Sequence, residues 1–114
     1  MPPADHSRSY VEALNSRDFA GFRSLIAEGV EFHLSTAGSV FRTPDEVTEA
    51  YKSFFAANPD SQVEVDNVVA GDEWVAMEVR VTPSDPVDRR SVFHRWVNGK
   101  LVYYRNYVDP SSAG

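Results

Sequence analysis

The chain of 114 residues contains no cysteine. A disulfide framework, a thiolate zinc site and a cysteine nucleophile are therefore excluded. Basic residues are scarce as well: 11 Lys and Arg stand against 17 Asp and Glu, a formal charge of −6. They nowhere cluster densely enough to follow a phosphate backbone, so nucleic-acid binding is not expected. The three histidines, His6, His33 and His94, are scattered and share no metal-ligand spacing with carboxylates. No glycine-rich phosphate loop occurs, so neither a metal nor another cofactor is expected. No apolar run approaches the roughly 18–20 residues of a membrane span. Residues 1–9 are polar and lack the apolar stretch of a signal peptide, which makes the cytoplasm the expected location.

What is present describes a globular protein. Hydrophobic residues make up 42%, aromatic residues 12% and charged residues 25% of the chain, enough apolar material to bury a core. The length fits one domain, residues 1–114, with its core at about 8–109.

The first half reads as helices. Tyr10, Val11 and Leu14 fall on one helical stripe that ends in the polar turn Asn15-Ser16-Arg17. Asp18 is positioned to cap a second short helix carrying Phe19, Phe22, Leu25 and Ile26, with Gly29 expected to terminate it. Val30 to Leu34 alternates as a strand, and Ser39 to Phe41 is a candidate for another. Thr43-Pro44-Asp45-Glu46 carries a capping box with proline at the first helical position. Val47, Ala50, Tyr51 and Phe54 follow at helical spacing until Asn58-Pro59 stops the helix.

From Gln62 the period changes to two. Residues 62–70, 73–82, 87–97 and 100–108 are strand candidates, and Asn98-Gly99 is a strong type I′ hairpin signal. Three helices followed by an antiparallel meander imply an α+β fold with the helices packed on one face of a curved sheet.

Several short motifs carry a resemblance. Tyr10-Val11-Glu12-Ala13-Leu14-Asn15 with Asp18, Ala27-Glu28-Gly29-Val30-Glu31-Phe32, Asn98-Gly99-Lys100-Leu101-Val102 and Tyr104-Arg105-Asn106-Tyr107-Val108-Asp109 resemble the SnoaL-like branch of the NTF2-like superfamily. Its relatives include ketosteroid isomerase, polyketide cyclases and limonene-epoxide hydrolase. The resemblance implies a cone-shaped α+β barrel, three N-terminal helices on a strongly curved, mostly antiparallel sheet, enclosing a pocket. It also implies a homodimer paired through the outer sheet surface.

In such a fold alternate strand residues face the pocket. Placed by the Asn98-Gly99 turn, the inward set is Arg90, Val92, His94 and Trp96, joined by Tyr104 and Asn106 and by Phe32 and Leu34. Tyr10 matches the helix-one tyrosine that ketosteroid isomerases place at the edge of their hydrogen-bonding network.

The departures from the family patterns narrow the chemistry. Where SnoaL-like cyclases and limonene-epoxide hydrolase carry a proton-transferring aspartate, this chain has Asn106, and an amide takes no proton at useful pH. The hydrolase's Arg and Asp fall at Val79 and Val81, and its water-positioning Tyr and Asn at Phe32 and Leu34. The isomerase's two acids fall at Leu34 and about Arg89.

What remains is His94 as a candidate general base, with Tyr104 and Asn106 as candidate carbonyl-orienting groups. Tyr10, Phe32, Leu34, Arg90, Val92 and Trp96 are candidate ligand contacts. His33 is expected on the opposite sheet face. Glu78 and Arg80 fit an exposed cross-strand pair better than a pocket carboxylate, and Asp109 fits a strand end.

Three readings stay open. One is a cofactor-independent acid–base enzyme, cyclase- or isomerase-like, for a small hydrophobic carbonyl compound. Another is a non-catalytic small-molecule-binding or dimerisation module. The last is a cone filled by side chains, which would leave no cavity of roughly 300 Å³.

Overall fold

The computed structural model describes residues 2–34 and 38–109. Three helices and six strands follow in the order α1 (Pro3–Ser16), α2 (Phe19–Ser24), β1 (Ile26–Leu34), β2 (Ser39–Phe41), α3 (Pro44–Ala57), β3 (Gln62–Ala70), β4 (Trp74–Thr82), β5 (Asp88–Val97) and β6 (Lys100–Val108). The strands form one open sheet in the order β2-β1-β6-β5-β4-β3. Only the β1–β6 pairing is parallel, joining the helical half of the chain to the meander.

Helix α1 begins at Pro3, ahead of the expected core. Proline suits a first helical turn because its missing N–H needs no partner there, and Asp5 in that turn complements the helix dipole. The earlier start adds Ser7 to the buried stripe of Tyr10, Val11 and Leu14, completing i, i+3, i+4, i+7 spacing. Asp18 caps α2 as its sequence implies, accepting from the Gly21 N–H at 3.0 Å.

Gly29 does not terminate α2, and Ile26 is not helical. The helix stops at Ser24, and Gly29 lies inside β1 at φ +78, where the pairing to β6 shifts between Ile26 and Glu31. A local bulge with its glycine in the left-handed region explains the same residue without a helix end.

The capping box forms: Thr43 Oγ1 accepts from the Glu46 N–H, and Glu46 accepts from the Thr43 N–H. The buried stripe of α3 runs through Val47 and Phe55 rather than ending on Phe54, which is partly exposed. Asn98 and Gly99 both take positive φ, 52° and 74°, as a type I′ turn demands.

One sheet face packs against the helices. Along β5, Val92, His94 and Trp96 are buried while Ser91, Phe93 and Arg95 are exposed, as period two requires. Phe22, Phe32, Leu14, Leu101, Val30, Val47 and Val75 are the largest apolar side chains shut off from solvent. Among the described residues no helix is long and apolar enough to cross a membrane, and no group of His, Asp and Glu is placed to hold a metal ion.

Candidate functional site

A cavity of about 220 Å³ lies between α1, α3 and the inner sheet face. Most of its wall is apolar, supplied by Leu14, Leu34, Phe55, Met77, Val79 and Val92 among others. Its polar wall groups are Tyr10, Tyr51, Arg90, His94, Tyr104 and Asn106. No Asp or Glu belongs to the described wall.

Seven of the nine sequence candidates meet here: Tyr10, Leu34, Arg90, Val92, His94, Tyr104 and Asn106. Phe32 and Trp96 share their inward parity but sit in the packed layer beyond the cavity wall. Phe32 is stacked on Tyr104 with ring centroids 4.0 Å apart, and Trp96 against His6 at 5.3 Å. Parity fixes the face of a strand but not the depth at which a side chain ends.

His33 is on the outer face, between Glu31 at 2.6 Å and Arg105 at 2.9 Å. Glu78 accepts from Asn67, and Arg80 pairs with Asp66 and Glu64, all as surface interactions. The Asp109 N–H bonds the Arg89 carbonyl at the strand end.

Three phenols cluster at this wall. Tyr10 and Tyr51 hydroxyls are 2.9 Å apart, and Asn106 Nδ2 donates to Tyr104 Oη at 3.2 Å. Burial pushes the ionisation of Tyr10 and Tyr104 well above the ordinary phenol value, and raises that of Tyr51. All three stay protonated at neutral pH. Arg90 forks onto Asp88 through bonds of 2.9 and 3.0 Å, which cancels its charge at that wall.

His94 is fully buried. Its Nδ1 lies 2.9 Å from Ser7 Oγ, which also accepts from Trp96 Nε1 at 2.8 Å. Its Nε2 is the sole buried side-chain polar atom without a partner among the described residues. Burial lowers its pKa from 6.5 to about 3, so the ring is neutral at pH 7. A group this reluctant to take a proton is poorly matched to base catalysis near neutrality.

Ser7 and Tyr51 were not singled out from the sequence. Ser7 precedes Tyr10 by one helical turn, and Pro3 is the signal that would have extended the helix to it. Tyr51 sits four residues after Val47 on the α3 stripe, where an aromatic residue reads as packing.

An α+β sheet with three helices over one face and a small apolar cavity between them is the NTF2-like architecture. The chain belongs to the SnoaL-like domain family, whose model matches residues 7–104. A candidate ketosteroid isomerase from Kribbella flavida has a similar structure, with a TM-score of 0.80 at 23% identity over 92% of this chain and 76% of that one. IdmH, a candidate polyketide cyclase from Streptomyces antibioticus, gives 0.80 at 22% identity over 96% and 94%. An NTF2-like protein of unknown function from Cytophaga hutchinsonii gives 0.81 at 12% identity over 99% and 95%. At such identities the likeness shows a shared fold, and chemistry has to be argued from the residues present. No curated protein matches the chain in sequence.

Proposed function

We propose that this SnoaL-like protein binds a small, apolar, carbonyl-bearing molecule in the cavity beneath α1 and α3. The observation that carries this reading is the partnerless Nε2 of His94, a fully buried residue in a mostly apolar wall. Leaving such a group unpaired costs about 1–3 kcal/mol, a cost that side-chain packing alone would not retain. A carbonyl compound in the cavity relieves it.

The cavity falls short of the roughly 300 Å³ at which drug-sized sites begin. It exceeds the roughly 150 Å³ that accommodates benzene. By the first measure size favours the cone filled by side chains, and the case for a ligand rests on His94; any ligand is compact rather than polycyclic.

Binding is favoured over acid–base turnover by the composition of the wall. It offers an amide at Asn106, three protonated phenols and a neutral imidazole, with no carboxylate to abstract a proton. Two structural relatives are named as a candidate isomerase and a candidate cyclase, which supports testing turnover beside binding.

Calorimetric titration with acetophenone and with its isostere α-methylstyrene tests the reading. Saturable one-to-one binding of at least one probe is expected, abolished by Val79→Phe, which fills the cavity. Failure of both probes to bind the native protein would overturn it.

We also propose that two copies pair through the outer sheet face. Trp74, Phe93 and Tyr107 are 47%, 37% and 52% exposed there, a concentration of aromatic surface that gains from cover. An identical copy would bury the same patch twice about a two-fold axis.

A further inference from the structure

Proton accounting around Ser7 fixes which nitrogen of His94 carries hydrogen. A serine hydroxyl has one proton and two lone pairs, and an indole N–H only donates. Trp96 Nε1–H therefore occupies one lone pair of Ser7 Oγ, at 2.8 Å. His94 Nδ1, at 2.9 Å, is the other described partner of this hydroxyl, which is 1% exposed. If Nδ1–H donated to Oγ, the serine proton would be buried with no acceptor. With Ser7 donating to Nδ1, Trp96 Nε1, Ser7 Oγ and His94 Nδ1 are all satisfied, and the imidazole hydrogen sits on Nε2.

Nε2–H is then a buried donor without an acceptor, on a residue that lines the cavity. The rings of Tyr10 and Tyr104 flank the imidazole, with centroids 4.7 and 5.4 Å away. A ring face is a weaker acceptor than a carbonyl oxygen. Scaled from the roughly 150 Å³ that hold the six carbons of benzene, a cavity of about 220 Å³ takes about nine non-hydrogen atoms. Its charged wall residue, Arg90, is already neutralised by Asp88, so neither an anion nor a cation has a counter-charge waiting.

We propose that Ser7 is a positioning residue that, with Trp96, locks His94 as an Nε2–H donor, so that the cavity selects small neutral hydrogen-bond acceptors of the size and class of a simple aryl or cyclic ketone. The ligand half of this inference rests on the pocket reading above; the lock on His94 does not. It also reverses the role the sequence offered His94, from proton acceptor to donor.

Two measurements test it. Long-range proton–nitrogen correlation spectra of protein labelled with ¹⁵N-histidine should show His94 in the Nε2–H form at neutral pH. Ser7→Thr keeps the hydroxyl and that signature, whereas Ser7→Ala loses the single fixed tautomer. In calorimetry, acetophenone should bind about tenfold more tightly than α-methylstyrene, the worth of one buried hydrogen bond. Ser7→Ala should erase most of that preference while leaving α-methylstyrene affinity within about twofold, since the apolar wall is untouched.

An Nδ1–H tautomer in the native protein overturns the lock outright. Equal affinity for the two probes overturns the acceptor selectivity and leaves the pocket reading standing. Binding of neither probe overturns the pocket reading, and the selectivity falls with it.

Discussion

Ser7 Oγ lies 2.9 Å from Nδ1 of His94, 87 positions further along the chain, and both side chains are buried. The contact ties the first helix to the middle of the sheet through a polar bridge within an apolar layer. Such a bridge restricts how α1 can slide or rotate over β5, because any displacement leaves a hydroxyl and an imidazole unpaired in a dry interior. The same rigidity holds Tyr10, one turn further along α1, against Tyr51 and the cavity.

Acid should destabilise the protein through His94. Its folded pKa of about 3 lies below the ordinary 6.5, so between those values the unfolded chain binds a proton that the folded chain does not. Stability therefore rises with pH across that window and is lost as pH falls from 6.5 toward 3, by about 1.4 kcal/mol per pH unit where the unfolded histidine is charged. Paired carboxylates lose stability in the lower part of the window too. The contrast with His94→Gln isolates the histidine: urea unfolding at successive pH values just below 6.5 should show a steeper decline for the native protein. Parallel declines would refute the assignment.

Asn15 should be worth more than its partly exposed position implies. Its Nδ2 donates to the Val63 carbonyl at 2.9 Å, and its Oδ1 accepts from the Val63 N–H at 2.7 Å. The amide thus completes an unpaired stretch of β3, the outer strand of the sheet, and pins it to the end of α1. Asn15→Ala is expected to cost about 1–3 kcal/mol, and Asn15→Asp, which keeps one acceptor, less than that. Chemical denaturation measures both, and an alanine variant as stable as the native chain would remove this role.

The outer face gives a third expectation. Light scattering coupled to size-exclusion chromatography should find twice the chain mass of 12.7 kDa. Phe93→Glu, which places a charge in the middle of the aromatic patch, should yield a folded monomer with an unchanged circular dichroism spectrum. A native monomer at micromolar concentration, or a Phe93→Glu dimer, would count against pairing through this face.

The ranges of α3, β3 and β6 were legible in the sequence to the residue, because each is bracketed by a strong local signal. Thr43 to Glu46 sets the start of α3, Asn58-Pro59 its end, and Asn98-Gly99 the β5–β6 turn. The same turn made the inward parity of Val92, His94, Tyr104 and Asn106 readable. What escaped depends on depth and on tertiary partners. Phe32 and Trp96 have the right parity but end beneath the cavity wall. The fate of His94 depends on Ser7, which has no pattern of its own and acquires meaning only when α1 packs on β5. Gly29 misled because a helix end and a bulge ask the same thing of a glycine, a positive φ, and only the pairing of β1 with β6 distinguishes them.

That ambiguity yields a fourth prediction. At Gly29, φ is +78 and a built Cβ would meet no atom within 4 Å, so the cost of a side chain there is conformational rather than steric. Gly29→Ala should destabilise by about 1–2 kcal/mol, and Gly29→Asn by less, because asparagine tolerates the left-handed region better. Gly71 supplies the control. It also has open space, with its nearest contact to a built Cβ at 4.0 Å, but its φ lies outside the positive range. Gly71→Ala should therefore be neutral or stabilise by up to about 1 kcal/mol through the unfolded chain. Urea midpoints for the three variants separate the effects. If Gly29→Ala proved as stable as Gly71→Ala, the bulge in β1 would not require its glycine, and the shift of register between Ile26 and Glu31 would need another cause.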